Sequence, residues 1–207
     1  MRLELFYPVY PHKVNQKWGV YDPRYQKYGF KQHNGVDLDL VDGQEIRAPF
    51  DCTVIKVAYQ TGGGLFVGIL SKNLYEFEDS HAYVLLDFLH CKEIKVSVGQ
   101  KVKVGELLAL GDSTGDSTGP HTHMQCRWKD GNLNDLEKND ANNSFDPTPH
   151  WTGHYALEFA QVRIFEKIFR AIKAFFGGAG YAFFLINVGN LLSKVVNGDK
   201  NLWKTWL

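Results

Sequence analysis

Apolar and polar residues alternate over two stretches of the chain, from Glu45 to about Val57 and again from Leu85 to Leu110, with Gly, Pro and Asp as punctuation. Period-two alternation buries one face of an extended strand and leaves the other wet. This predicts a mainly antiparallel β region through the first three-quarters of the chain. The pattern also repeats: GQEIRAP at 43–49 and GQKVKVG at 99–105 share a Gly-Gln start, with Ile46 and Val102, then Ala48 and Val104, in matching apolar places. A Gly-led turn feeding a short alternating strand has been used twice, which predicts a duplicated β unit.

After Pro149 the period changes. In QVRIFEKIFRAIKAFF, Phe165, Ile168/Phe169, Ile172 and Phe175/Phe176 recur at helical spacing while Arg163, Glu166/Lys167, Arg170 and Lys173 take the other face, predicting a basic amphipathic helix. GGAG at 177–180 interrupts it, and Lys173 and Lys194 bracket 20 uncharged residues. That length nominally crosses a bilayer. The four glycines, two asparagines and one serine in it favour a helical hairpin packed on the domain, on another chain or on a membrane surface. The expected division is therefore a domain over 1–150 and a basic helical segment over 151–207, with contact to a membrane surface or an oligomer through residues 156–197.

Charge sharpens this division. The chain has no formal net charge, which argues against a nucleic-acid surface, yet residues 1–153 carry 16 Lys+Arg against 20 Asp+Glu and residues 154–207 carry 7 against 3. The tail is thus at +4 and the body at −4, and a basic apolar tail suits anionic surfaces. With 207 residues, 44% of them hydrophobic, the chain can bury a real core. Cys52, Cys91 and Cys126 lie too far apart in sequence to suggest a disulfide scaffold and read as reduced, buried thiols. The N-terminus MRLELFYPVY, broken by Glu4 and Pro8, makes a poor secretory signal, so synthesis in a cytoplasm is expected.

The candidate chemistry lies with the histidines. His33 precedes Asp37 by four residues in QHNGVDLDL, and His121 and His123 end the Gly/Ser/Thr run GDSTGDSTGPHTH. Residues two apart on a strand face the same side, so His121 and His123 can look into one cleft. Two imidazoles and a carboxylate form an ordinary zinc set that leaves a fourth position open. Period two also puts Asp39 on the same face as Asp37, so the residues alone leave the carboxylate undecided.

HNGVD at 33–37, FLH at 88–90 ahead of VGQKVKVGELLALG, and GDSTGDSTGPHTH at 111–123 together resemble the lysostaphin-like (LytM-type) zinc endopeptidases, which cut peptide cross-links of bacterial cell walls. The resemblance covers roughly residues 12–128. It implies a folded-over antiparallel sheet of the duplicated hybrid motif type, one Zn2+ held by His33, Asp37 and His123, and catalysis by His90 and His121, with Asp39 outside the ligand set. It also implies that the bound substrate is a peptidoglycan peptide. No HExxH helix supplies a glutamate base, so the proton transfers fall to His90 and His121, whose ordinary pKa of about 6.5 suits them. Thr122 and Met124-Gln125 depart from the family's usual residues and imply altered packing with the metal set retained. Cys91, next to His90, points away from it as a buried thiol, and His12, His81, His150 and His154 read as surface or packing residues.

The expected function is a zinc metalloendopeptidase of peptidoglycan, of the phage endolysin or virion-associated type, acting on a host cell wall. The alternatives are a non-catalytic or regulatory wall-binding module on the same fold, and a membrane-interacting protein whose helical tail is the main element.

Overall fold

The computed structural model describes residues 1–168 together with 170, 171 and 174. Its strands in chain order are β1 (Leu5–Tyr7), β2 (Val14–Gln16), β3 (Val36–Asp39), β4 (Glu45–Arg47), β5 (Cys52–Gln60), β6 (Gly64–Ser71), β7 (Tyr75–Phe77), β8 (Ser80–Ile94), β9 (Lys101–Val102), β10 (Leu107–Gly111), β11 (His121–Lys129) and β12 (Trp151–Tyr155). A 3-10 helix, Pro23–Tyr28, starts where the Asp22 side chain accepts from Arg24 N–H and stops at Gly29.

Ten of these strands form one antiparallel sheet with the path β2-β3-β11-β8-β6-β5-β9; β10 joins both β4 and β8, and β7 joins β8. The chain is mainly β and antiparallel, as the alternation predicts. The parallel pair β1 and β12 is an addition that the alternation does not predict.

Strand β8 organises the sheet. Val84, Leu86 and Phe88 are fully buried on one face, and Leu85 and Asp87 are nearly so on the other. Such double burial needs cover on both faces, and β8 also has neighbours on both edges: β11 on one side, β6 on the other, and β10 beyond the bend. The bend falls at His90, whose φ of 62° is left-handed. Register slips there in both ladders, between Leu65 and Val67 in β6 and between Leu110 and Gly111 in β10. An irregularity of this kind re-aims one side chain while the strand continues.

The sequence echo has a shared hydrogen-bond pattern. In the turn before β4, Gln44 N–H donates to Val41 O at 2.9 Å and Val41 N–H donates to Gln44 Oε1 at 2.8 Å. In the turn before β9, Gln100 N–H donates to Ser97 O at 3.0 Å and Ser97 N–H to Gln100 Oε1 at 3.1 Å. Gly43 and Gly99 take φ of 78° and 85°, a region costly for a side chain with a Cβ. Gly-Gln is thus a turn device: Gly supplies the backbone angle and Gln closes the loop on itself.

Residues Met1–Ala160 form one compact unit, distinct from the one beginning at Gln161. The first reaches past Pro149 because β12 pairs with β1, and the Phe159 ring meets Phe6 edge-on at 4.5 Å between centroids. Residues 156–168 are helical. Among the described residues no helix is long and apolar enough to cross a membrane. The GGAG interruption, the 20-residue uncharged stretch apart from residue 174, and most of the apolar face of the amphipathic pattern lie outside the described residues. All three cysteines are free and buried, Cys91 donating its thiol proton to Phe88 O.

Candidate metal centre

His33 enters the site from the loop after the 3-10 helix. Its backbone N–H donates to Val20 O at 2.8 Å, its ring stacks on Tyr25 with 5.3 Å between centroids, and its Nδ1–H donates to Lys17 O at 2.9 Å. A proton fixed on Nδ1 leaves Nε2 with a lone pair aimed at the site. Asp37 and His123 arrive from β3 and β11, where they sit directly opposite each other. Cross-strand neighbours on one face bring their Cβ atoms within about 5 Å.

The three ligand atoms form a nearly equilateral triangle. His33 Nε2 lies 3.1 Å from Asp37 Oδ1 and 3.0 Å from His123 Nδ1, and His123 Nδ1 lies 3.0 Å from Asp37 Oδ1. Zinc bonds of about 2.0–2.1 Å at tetrahedral angles space ligand atoms about 3.3 Å apart. The donor set suits such an ion chemically too, since a lone pair on His33 Nε2 facing a carboxylate oxygen is repulsive unless a proton or cation lies between them. Among the described residues, His33, Asp37 and His123 are the group of this type. Burial alone pushes the Asp37 carboxyl up, but the His123 and His33 rings against it outweigh that and hold the carboxyl well below the usual range. Burial lowers the pKa of His123, favouring the neutral ring that a metal requires.

Two more histidines face the same cleft. His121 Nδ1–H donates to Gly119 O at 2.9 Å, with Ser117 Oγ at 3.2 Å, and its Nε2 points inward, 3.8 Å from Asp37 Oδ1. His90 Nδ1–H donates to Thr114 O at 2.7 Å, and its ring centroid lies 4.7 Å from that of His121. Burial lowers the pKa of His90 to about 4, so the ring is neutral at pH 7. The Gly/Ser/Thr run therefore does a defined job, since two of its carbonyls, at Thr114 and Gly119, set the tautomer and angle of both non-ligand histidines. Thr114 is itself clamped, its Oγ1–H donating to Cys91 O at 2.8 Å while its Oγ1 accepts from Leu65 N–H at 3.1 Å.

Asp39 shares a face with Asp37 but turns to Lys13 Nζ at 2.9 Å and Asn15 Nδ2 at 3.0 Å, and so stays out of the triangle. Thr122 Oγ1–H donates to Leu89 O and Met124 is fully buried, so both departures from the usual family residues are absorbed by packing. His12 stacks on Tyr7, His150 meets Trp128 and Phe145 edge-on, and His81 and His154 are exposed.

Sequence reasoning missed the rest of the cleft. Its volume is about 540 Å³, and beyond the five predicted residues its lining includes Tyr25, Tyr28 and Asp116 at one part and Lys56, Asp87 and Arg127 at another. Lys27 and Tyr28 both bond Asp116, tying the 3-10 helix to the histidine loop. No local motif marks these positions; they meet only through strand register and loop packing.

Acid should unfold the metal-free protein early. Burial lowers the pKa of His12 and His90 to about 4 and also lowers those of His123 and His150. Between about pH 6.5 and 4 the unfolded chain binds more protons than the folded one, so stability is complete above 6.5 and falls as pH drops. Thermal melts in chelator from pH 7.5 to 4 should show Tm falling through that window. A flat Tm across it would contradict the buried neutral histidines.

The model of peptidase family M23 matches residues 31–135, which contain His33, Asp37, His90, His121 and His123. The chain belongs to peptidase family M23, the lysostaphin-like metallopeptidases. An uncharacterized metalloprotease of Haemophilus influenzae is 40% identical over 96 residues, 46% of this chain and 18% of that protein. The peptidoglycan DD-endopeptidase ShyA of Vibrio cholerae is 29% identical over 143 residues, 66% of this chain and 31% of that protein. The crystal structure of a zinc-containing peptidase from Vibrio cholerae superposes with a TM-score of 0.52 at 25% identity, covering 70% of this chain and 39% of that one. The chain thus spans less than a third of the length of either curated relative.

Proposed function

We propose that the chain is a zinc metalloendopeptidase that hydrolyses peptide cross-links or stem peptides of bacterial peptidoglycan, with His33, Asp37 and His123 as metal ligands and His90 and His121 as proton-transfer residues. The observation that carries this is the convergence of three ligand atoms at 3.0–3.1 Å beside two histidines whose Nδ1 protons are committed to backbone carbonyls. A zinc ion held there would supply a Lewis acid for the scissile carbonyl and an acidified water.

The chain's own groups do the remaining work. His121 Nε2, the nearer to the triangle, accepts the proton of the attacking water, because its Nδ1 proton is held by Gly119 O and the free lone pair faces inward. His90 stands beside it with the same tautomer fixed by Thr114 O, placed to hydrogen-bond the substrate and to take part in returning a proton to the leaving amine. Neutral at pH 7, His90 has no proton of its own to give at Nε2, so the proton returned to the amine is the one His121 took from the water, passed on by His121 itself or across His90 Nε2.

Peptidoglycan is supported as substrate class by the relative ShyA, a peptidoglycan DD-endopeptidase. The finer reading we infer is a phage-type lysin acting on a host wall, in which the basic segment after the compact unit meets anionic membrane or wall polymer, or a second copy, through residues 156–197. Its support is the +4 charge of residues 154–207 against −4 in the body.

Purified peptidoglycan incubated with the zinc-loaded full chain should release muropeptides whose masses show added water across a peptide bond, and chelator should stop the release. Intact peptides at one equivalent of bound zinc would reject the peptidase reading. The same assay on a chain ending at Ala160 tests the tail: unchanged rates on whole walls would remove its proposed role.

A further inference from the structure

His90 bends β8 with a left-handed φ of 62°, an angle that a residue with a Cβ keeps only where its surroundings impose it. Two backbone bonds flank the bend: His90 N–H donates to Gly63 O at 2.8 Å, and His90 O accepts from Asp112 N–H at 3.0 Å. Neither touches the ring or the residue that follows. Thr114 grips both. Its carbonyl accepts the ring Nδ1–H at 2.7 Å, and its Oγ1–H donates to Cys91 O at 2.8 Å.

The hydroxyl sits where strand pairing is irregular. Leu65 and Cys91 are partners between β6 and β8, with the register slip directly after Leu65. Thr114 Oγ1 accepts from Leu65 N–H at 3.1 Å while it donates to Cys91 O, so one hydroxyl serves both strands. A hydroxyl can accept and donate at once, and a methyl can do neither. A valine methyl in its place would meet that N at 3.1 Å and that O at 2.8 Å, inside the roughly 3.5 Å that a carbon needs, so the loop would have to lift. Glycines allow the loop to come this close. A Cβ on Gly64 would lie 2.4 Å from Thr114 C and O, and one on Gly115 would lie 2.3 Å from Gly64 N. That contact stops the loop from moving inward but does nothing to stop it from lifting; the Thr114 hydroxyl holds it down.

We propose that Thr114 is a positioning residue for His90: its hydroxyl, tied to Leu65 and Cys91, holds its own carbonyl against the ring and thereby fixes which imidazole nitrogen carries the proton. This rests on the peptidase reading above and gives a role to a side chain that reading leaves out. A carbonyl only accepts, so the nitrogen facing it is Nδ1–H, and a neutral ring then keeps its lone pair on Nε2. Once the carbonyl recedes, nothing in that contact favours Nδ1–H over Nε2–H. A ring protonated at Nε2 has no lone pair there for a proton in transit, and the same backbone shift frees the residue after the bend.

The first measurement needs no turnover. Long-range proton–nitrogen spectra of the imidazoles are recorded on the isotope-labelled, zinc-loaded full chain near neutral pH, with His90→Ala assigning the ring. They should show His90 wholly as Nδ1–H in the native chain, as a mixture with Nε2–H in Thr114→Val, and as Nδ1–H again in Thr114→Ser. Hydrolysis of a cross-linked peptidoglycan dimer is followed in parallel. Thr114→Val should hold about one equivalent of zinc and keep KM within about twofold while kcat falls about 10–100-fold, the range for loss of support to a functional histidine. Thr114→Ser should recover most of that loss. In a His90→Ala background the valine substitution should cost less than about twofold, because its effect passes through a ring that is gone. An unchanged tautomer in Thr114→Val, loss of its zinc, or an equal fall in kcat with and without His90 overturns the positioning role. Should the valine protein lose its native circular dichroism, Thr114→Ala carries the same expectations and is judged by the same outcomes. Tautomers that shift as described in a native chain that hydrolyses nothing uphold the hold on the ring and overturn the peptidase reading.

Discussion

His123→Ala should lose both the bound metal and all turnover, while His121→Ala and His90→Ala should each retain about one equivalent of zinc and lose kcat by a factor of about 10²–10⁴. His123 Nδ1 is one corner of the ligand triangle, 3.0 Å from both other corners. Its removal leaves a two-ligand site, and the Asp37 carboxylate loses one of its two close imidazole contacts. His121 and His90 contribute no corner. They are held by Gly119 O and Thr114 O, carbonyls that remain in place when the ring is cut away. The measurement is zinc content after dialysis, alongside single-turnover hydrolysis of a peptidoglycan fragment. A His121→Ala protein that turns over at near-native rate would break the assigned division of labour, and one that fails to hold zinc would make His121 a ligand.

The second large effect is expected at a residue with no functional group. Gly35→Ala should weaken zinc binding by about 10–100-fold while leaving the sheet intact, the range typical when the support of a ligand is disturbed. A Cβ at Gly35 would lie 2.7 Å from His123 Nε2, 2.8 Å from His123 Cε1 and 2.5 Å from Met124 O. Backbone O of a central strand cannot yield cheaply, so the His123 ring must tilt out of the triangle. Gly131, with nothing near its added Cβ and no left-handed φ, is the control, and Gly131→Ala should change neither binding nor stability. Competition titration with a chromogenic chelator gives the affinities, and far-UV circular dichroism checks the fold. Native zinc affinity in Gly35→Ala would mean that the glycine in HNGVD is not there for this close approach.

Much of the site was legible because its parts are local. HNGVD carries two of the corners within five residues, and HTH places two rings on one face of one strand, so periodicity alone limits what they can do. The choice between Asp37 and Asp39 was not legible. Both face the same way, and β3 pairs Asp37 with His123 and Asp39 with His121, so each carboxylate has a histidine opposite it. What separates them is that Asp39 finds Lys13 and Asn15 from β2 and the chain before it, a contact settled by a strand that no motif announces. The backbone bend that aims His90 was similarly hidden. FLH carries no Gly, Pro or Asn to mark a turn, yet His90 has a left-handed φ and β8 continues for four more residues beyond it.

The sequence by itself determined the β architecture, the repeated Gly-Gln turns and the identities of the residues that could bind metal, because period, turn chemistry and ligand spacing act over a few residues. Tertiary structure alone decided which of them meet. Strand register aligned Lys56, Asp87 and Gln125 across three ladders, and two loop carbonyls more than twenty residues and two residues away fixed the tautomers of His90 and His121. Register is a cooperative property of the whole sheet, since a slip of one residue would turn every one of these side chains to the opposite face.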